Sequence, residues 1–311
     1  MILLQQMLAL FVLIIIGYFC GRAGILDRVT TKNISWLVVN VANVAMILQA
    51  GLDNQNGIPR EKLIFVGGIA IAMYAVLVLL AMFLPRLLFV KKEDVGSYRT
   101  MLIFSNIGFM GIPLLAATVG GEAVLYTALF QFLFNILIYT YGIAAMRRPE
   151  TAREQEKPSA AARFRKLLNA GVISCIAALV MYFGKADLPD FADTVLKNLA
   201  NLTAPLSMLV IGQSFTEFKI RELFTDVRLL AFAGIKLLVL PVIGLFVLKL
   251  FVSDPVILKV CLVMLATPVA SMTAMLAQQY DGNYELASRG VALTTILSVA
   301  TIPLVSLITG V

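Results

Sequence analysis

Long apolar stretches, each close to the length of a membrane span, recur along the whole chain. They cover residues 5–22, 33–50, 62–84, 100–119, 123–146, 167–184, 199–215, 227–250, 257–279 and 288–309. A helix needs about 20 apolar residues to cross the hydrocarbon of a bilayer. The pattern therefore predicts an all-α polytopic membrane protein with ten transmembrane helices, five on each side of one polar loop.

The composition fits a chain that lies mostly in the bilayer. Of its 311 residues, 60% are hydrophobic and 14% are charged, whereas a soluble domain carries about 25% charged residues. The chain contains no histidine, which excludes catalysis and metal ligation by imidazole. Cys20, Cys175 and Cys261 lie far apart within apolar stretches and indicate neither a disulfide nor a metal site. We expect no enzyme, no cofactor and no nucleic-acid partner.

Lysines and arginines predict how the chain is oriented in the membrane. If the N-terminus lies outside, 18 of the 25 positive residues fall in cytoplasmic loops and six fall outside, while Lys236 lies within a span. Positively charged loops stay cytoplasmic, so we expect a multi-pass protein of the cell membrane with both termini outside. The polar segment 147–166 holds seven of these charges and is predicted to be a cytoplasmic linker.

Five spans on each side of that linker predict two halves that insert in opposite orientations. An odd number of spans reverses the second half, and such inverted repeats are common in secondary transporters. Residues 1–146 would form the first five-helix repeat and residues 167–311 the second. Short matches support a duplicated unit, such as NVANVAM from Asn40 and NLTAPLSM from Asn201.

Spans four and nine each contain a proline that predicts an interrupted helix. The residues around these prolines are Asn106, Gly108, Gly111 and Pro113 in span four, and Thr267, Pro268, Ala270 and Ser271 in span nine. A proline removes a helical hydrogen bond, and the freed carbonyls survive in a membrane only inside protein or beside a polar cavity. We expect the two broken helices to cross at the midplane, where half-helix N-termini form a seat for a carboxylate.

Polar residues in other spans are further candidates for substrate binding. Lys236 lies deep in span eight, where a charge is costly unless it is paired or hydrated. It either attracts an anionic substrate, replaces a coupling cation, bonds the carbonyls of a broken helix, or reaches the membrane interface. Asn43 and Gln213 lie in spans two and seven, which would flank the broken helices.

The coupling of transport to an ion stays open at this point. No carboxylate lies centrally in a span, which disfavours a buried proton relay. A coupling proton could instead be carried by the substrate itself or by Lys236. A second alternative is a sodium site near Asn106, Thr267, Ser271 and Gln278. A third is efflux of the anion driven by the membrane potential without a coupling ion.

The motif N-x-G-x-M-G-I-P from Asn106 to Pro113, the A-T-P-V-A run of span nine and A-P-L-S-M in span seven resemble the auxin efflux carrier family. The similarity covers essentially the whole chain. It implies ten spans, an inverted repeat, and crossover helices in a transport domain beside a scaffold that often dimerises. By the family pattern, the first crossover would hold Asn106, Gly111 and Pro113, and the second Pro268, Ala270 and Ser271. The resemblance also implies substrates such as malate, malonate or the auxin anion.

These features together predict a secondary transporter that exports or exchanges a small organic anion by alternating access around the two broken helices. The alternative is a ligand-sensing membrane module or the permease subunit of a multi-component transporter. The chain has no G-x-x-x-x-G-K-[ST] loop, so in the latter case a partner would have to bind ATP.

Overall fold

The computed structural model of the protein describes residues 2–53, 58–146, 169–217, 223–280 and 282–311. The predicted linker 147–166 lies outside these residues. The described chain is almost entirely helical and contains the helices α1 Ile2–Arg22, α2 Arg28–Asp53, α3 Arg60–Leu87, α4 Val95–Ile103, α5 Ile107–Thr118, α6 Gly121–Met146, α7 Ala170–Gly184, α8 Asp190–Ser214, α9 Val227–Leu248, α10 Pro255–Ala266, α11 Ser271–Gln279 and α12 Tyr284–Thr309.

Several of these helices can cross a membrane. Within the described ranges, six helices are long and apolar enough to do so, namely α2, α3, α6, α8, α9 and α12. This confirms a multi-pass, all-helical membrane protein. Shorter apolar helices coincide with the other predicted spans: Leu8–Arg22 of α1, and α5, α7 and α10. The total of ten spans and the inverted repeat stay predictions.

The helix containing predicted span 199–215 begins earlier than the apolar pattern suggests. Its first turns, from Asp190, carry Asp193 and Lys197, whose side chains form an ion pair of 2.8 Å one turn apart. These charges lower the local hydropathy without interrupting the helix, because pairs four residues apart stabilise helical structure. Apolar length therefore marks the membrane portion of α8 and misses its polar start.

Asp and Asn side chains determine where many of the helices begin. A carboxylate or amide oxygen accepts a backbone N–H of the first turn at Asp27 (Thr30 N, 2.7 Å), Asp254 (Val256 N, 2.8 Å) and Asn283 (Leu286 N, 3.0 Å). Asn169 and Asp226 cap α7 and α9 in the same way. Such caps satisfy amide groups that have no partner within the helix. The capping residues therefore determine where these helices begin, independently of the pattern of apolar residues.

The helices sort into two groups by their packing. In the first group, α1 lies along α8, and α2 lies along α7 and the start of α8; α3–α6 and α9–α12 form the second group, of which α6 also packs against α2 and α7. Glycines allow the closest approaches within the first group. A Cβ atom added at Gly17 would lie 2.3 Å from the carbonyl oxygen of Leu209, and one added at Gly212 would lie 1.9 Å from that of Ile14. Small residues that let backbones touch are typical of helix pairs in membranes.

A cluster of charged side chains joins three helices of the second group at one end. Lys62 Nζ of α3 lies 2.9 Å from Glu122 Oε1 of α6 and 2.7 Å from Asp254 Oδ2 at the start of α10. Tyr126 donates its hydroxyl to the same Glu122 oxygen at 2.7 Å. Burial acts to raise the pKa of Asp254, but the bonds from Lys62 and from two backbone amides outweigh it and hold that pKa below its ordinary value of 3.8.

We expect Gly212→Ala to destabilise the protein. The added methyl group would overlap the backbone of Ile14, and overpacking of this kind costs about 1–3 kcal/mol. The measurement is the thermal unfolding temperature of the purified variant in detergent. Gly67→Ala is the matched control, because a Cβ atom added at Gly67 of α3 meets nothing within 4 Å. Equal unfolding temperatures for the two variants would contradict the close packing of α1 on α8.

Substitutions at Asp254 should separate the helix cap from the ion pair. Asp254→Asn keeps a capping oxygen and loses the pair with Lys62, at about 0.5–1 kcal/mol, whereas Asp254→Ala also loses the cap, at about 1 kcal/mol more. A carboxylate with a lowered pKa stabilises the fold above its ordinary pKa and ceases to do so as the pH falls through its folded pKa. The difference in unfolding temperature between wild type and Asp254→Asn should therefore shrink as the pH falls below 3.8. A difference that is constant with pH would show that Lys62 does not pair with Asp254.

Candidate functional site

Two interrupted helices cross each other in the interior of the second group. The first interruption, residues 104–106, separates α4 from α5, and the second, residues 267–270, separates α10 from α11. The two segments run antiparallel and are joined by backbone hydrogen bonds, from Asn106 N to Pro268 O at 2.8 Å and from Ala270 N to Phe104 O at 2.9 Å. We call these two paired segments the crossover. Its hydrogen bonds satisfy backbone groups that the interrupted helices leave free.

The local sequence explains the second interruption directly. Thr267 precedes Pro268 and adopts an extended conformation, with φ −66° and ψ 148°, as is usual for the residue before a proline. Ala270 is also extended, with φ −66° and ψ 134°. Thr273 donates its hydroxyl to the carbonyl of Ala270 at 2.7 Å. Helix α11 then begins at Ser271.

The first interruption does not lie at Pro113, where the proline pattern places it. Pro113 lies inside the continuous segment α5, whereas the break lies upstream at residues 104–106. Asn106 begins α5, and its side-chain oxygen accepts the N–H of Phe109 at 3.4 Å. The turn Ile107–Gly111 is a wider π-helical turn, and Pro113 follows it at the start of an α-helical stretch. A proline is tolerated inside the helix there because the preceding π-helical turn already displaces the regular backbone hydrogen bonds, with Ile112 N bonding the carbonyl of Ile107.

Opposite electrostatic ends of the helices meet at the crossover. Helices α5 and α11 begin directly after the paired segments, and α4 and α10 end directly before them. The N-terminus of a helix carries about half a positive elementary charge and the C-terminus about half a negative one. The crossover therefore presents two positive and two negative helix ends within buried surroundings.

The side chain of Lys236 caps the C-terminal end of α4. Its side chain is fully buried, and Nζ donates to the carbonyl of Leu102 at 3.0 Å and to the hydroxyl of Ser105 at 2.7 Å. Lys236 lies in a π-helical turn of α9, Ile235–Val239. Among the roles predicted for Lys236, the structure shows the bond to a carbonyl of a broken helix, that of Leu102. The ammonium group thus sits at a negative helix end and next to the crossover.

Several buried polar oxygens, at the crossover and on helices packed against α5, have no hydrogen-bond partner among the described residues. Asn43 of α2 donates its amide to Gly108 O at 3.0 Å, and this contact joins the first group of helices to the start of α5. Its own side-chain oxygen is unpartnered, as are the buried hydroxyls of Thr267, Thr203 and Ser207. Helix α8, which carries Thr203 and Ser207, packs against the turn Ile107–Gly111. Buried polar atoms are usually hydrogen-bonded in folded proteins, so these oxygens are candidates for contact with a polar solute.

The structure brings together part of the site expected from the sequence. Contacts at or beside the crossover involve Asn43, Asn106, Gly108, Lys236, Thr267, Pro268 and Ala270. Gly111 faces α10, where an added Cβ atom would lie 3.2 Å from Met264. Ser271 is the exposed first residue of α11.

Gln278 and Gln213 lie elsewhere. Gln278 is at the far end of α11, about 10 Å along the helix from Ser271. Gln213 is in the last turn of α8 and packs against Gly21 of α1. The polarity of a residue within a predicted span does not specify at which end of the helix its side chain lies.

Other residues of the site were missed by the sequence reasoning. Ser105 bonds Lys236, and Thr294 of α12 accepts the N–H of Val269 at 3.1 Å. Ser105 stands next to the recognised Asn106 and could have been included by its position. Thr294 carries no local signal, because hydroxyls in membrane helices commonly bond their own backbone, as Thr294 also does to Gly290.

Comparisons with known proteins show similarity to transporters over nearly the whole chain. The chain is 26% identical to an uncharacterized transporter of Methanocaldococcus jannaschii, over 98% of both chains. It is 23% identical to an uncharacterized transporter of Methanothermobacter thermautotrophicus, over 98% of this chain and 97% of the relative. It is 24% identical to a proposed malonate transporter of Rhizobium meliloti, over 95% of this chain and 92% of the relative.

A family profile described as membrane transport protein matches residues 2–306. The match confirms the resemblance to the auxin efflux carrier family and a role as a transporter rather than an enzyme. With its multiple apolar helices and buried crossover, this chain belongs to the membrane transport protein family.

Proposed function

We propose that the protein is a secondary transporter that carries a small organic anion, with a carboxylate bound at the crossover. The observation that carries this proposal is the meeting of the α5 and α11 N-termini at paired, buried backbone segments. Helix N-termini attract carboxylates because their free N–H groups and dipoles point at the ligand. The buried hydroxyls of Thr203, Ser207 and Thr267 have no hydrogen-bond partner among described residues and are able to donate to carboxylate oxygens.

The two groups of helices suggest how such a site would open alternately to each side of the membrane. The described contacts near the crossover include one between groups, from Asn43 of α2 to Gly108 of α5. In this proposal the second group carries the anion and moves against the first group, which acts as the scaffold. Packing by glycines within the first group supports a rigid scaffold, and a homodimer through the scaffold follows from the family resemblance.

Topology and substrate are part of the same proposal. Residues 1–146 and 167–311 would be the two inverted repeats around the cytoplasmic linker 147–166, with both termini outside. Malonate is the first substrate to test, because one relative is a proposed malonate transporter. Malate and an aromatic acid are the alternatives within the same chemical class.

Purified protein in liposomes should take up labelled malonate, malate or an aromatic acid against the same unlabelled acid inside, without ATP. Such counterflow requires a carrier whose site faces each side in turn. Empty liposomes provide the background. Binding of an acid, seen as a rise in unfolding temperature, without any counterflow would favour a sensing module. The absence of both binding and flux would contradict the proposal of a carrier.

We expect Asn43→Ala to slow counterflow by about tenfold, which corresponds to the loss of about one buried hydrogen bond. The variant removes both the bond to Gly108 and the unpartnered oxygen next to the N-terminus of α5. Asn40→Ala is the control on the same helix, because in the described structure Asn40 donates to the carbonyl of Trp36 in its own helix, and this variant should keep wild-type flux. Equal counterflow rates for the two variants would show that Asn43 does not take part in substrate binding.

A further inference from the structure

The ammonium of Lys236 occupies a place where many transporters with broken helices bind a coupling cation. In such transporters, carbonyls at half-helix C-termini and in unwound segments coordinate sodium or a proton. Here the C-terminal carbonyl of Leu102 and the hydroxyl of Ser105, both at the end of α4, are bonded by Lys236 Nζ at 3.0 and 2.7 Å. The same oxygens would be needed by a metal cation at this point.

The charge of Lys236 is not balanced by a described side chain. The ion pairs found in the described part of the chain involve Lys62 and Lys197, with Glu122, Asp254 and Asp193. The two acceptors of Lys236 are neutral oxygens, and the end of α4 contributes only about half a negative charge. A fully buried ammonium in these surroundings favours an anion nearby and repels a second cation.

We propose that Lys236 is the resident counter-cation of the crossover, which replaces a coupling metal ion and compensates the charge of the bound anion. The protein then transports its substrate without sodium. This inference rests on the proposed function, because it concerns the charge balance of the same site. It does not depend on which carboxylate is carried.

The first test measures counterflow of labelled malonate in wild-type proteoliposomes, with sodium on both sides and then with choline in its place. We expect rates that agree within about twofold, since no sodium takes part in the cycle. A wild-type rate that falls with removal of sodium would overturn the role of Lys236 while leaving the transporter intact. Absence of counterflow in both solutions, for malonate, malate and an aromatic acid, would instead contradict the proposed function.

The second test compares Lys236→Met, Lys236→Arg and Lys249→Met. Methionine keeps most of the side-chain length and removes the charge, so we expect malonate counterflow to fall by about tenfold or more, while arginine restores a substantial part of it. Lys249 follows α9 and also donates to a backbone carbonyl, that of Thr309, but it is 13 residues beyond Lys236, about 20 Å along the helix, so Lys249→Met should keep wild-type flux.

A readout of anion binding separates charge compensation from a merely structural cap. Malonate should raise the unfolding temperature of the wild type and of Lys236→Arg, and should fail to raise that of Lys236→Met. A Lys236→Met protein that is less stable yet still stabilised by malonate would show a structural cap and overturn the proposal. If Lys236→Met does not fold, the wild-type comparison of sodium with choline still decides the matter.

Discussion

Two backbone hydrogen bonds between residues 104–106 and 267–270 are the constraint on which the rest of the structure depends. A helix interrupted inside a bilayer leaves amide and carbonyl groups that lipid cannot satisfy. Each interruption here supplies the partners that the other lacks, through Asn106 N and Ala270 N. The breaks are therefore stable only as a pair, and the positions of four helix ends follow from their meeting.

The ends so created differ in charge, and the surrounding side chains differ accordingly. The negative end of α4 is bonded by the ammonium of Lys236, whereas the start of α5 is bonded by the side-chain amides of Asn43 and Asn106. This division is what electrostatics requires of a buried site, because a cation is stabilised at a helix C-terminus and an anion at an N-terminus. A polar centre can then exist in an otherwise apolar bundle without a carboxylate.

Much of this architecture is predictable from the sequence, and the exceptions have physical causes. Apolar length identifies the membrane helices because a bilayer demands it, but it misses the charged start of α8. Proline identifies the broken segment of span nine correctly, while in span four Asn106 ends the break and Pro113 is absorbed by a π-helical turn. The sequence predicts that Lys236 needs a partner, but that Leu102 and Ser105 are its partners depends on how helices far apart in sequence pack together. The contact of Thr294 with Val269 is likewise not predictable from sequence patterns, because it depends on how α12 packs against the crossover.

The close packing of α1 on α8 has a consequence for biogenesis. Gly17 emerges from the ribosome well before Leu209 and Gly212, its neighbours in the finished protein. At synthesis rates of about 5–20 residues per second, the first helix waits about 10–40 s for its partner. The contact between α1 and α8 therefore forms late in synthesis, after most of the other helices have been made.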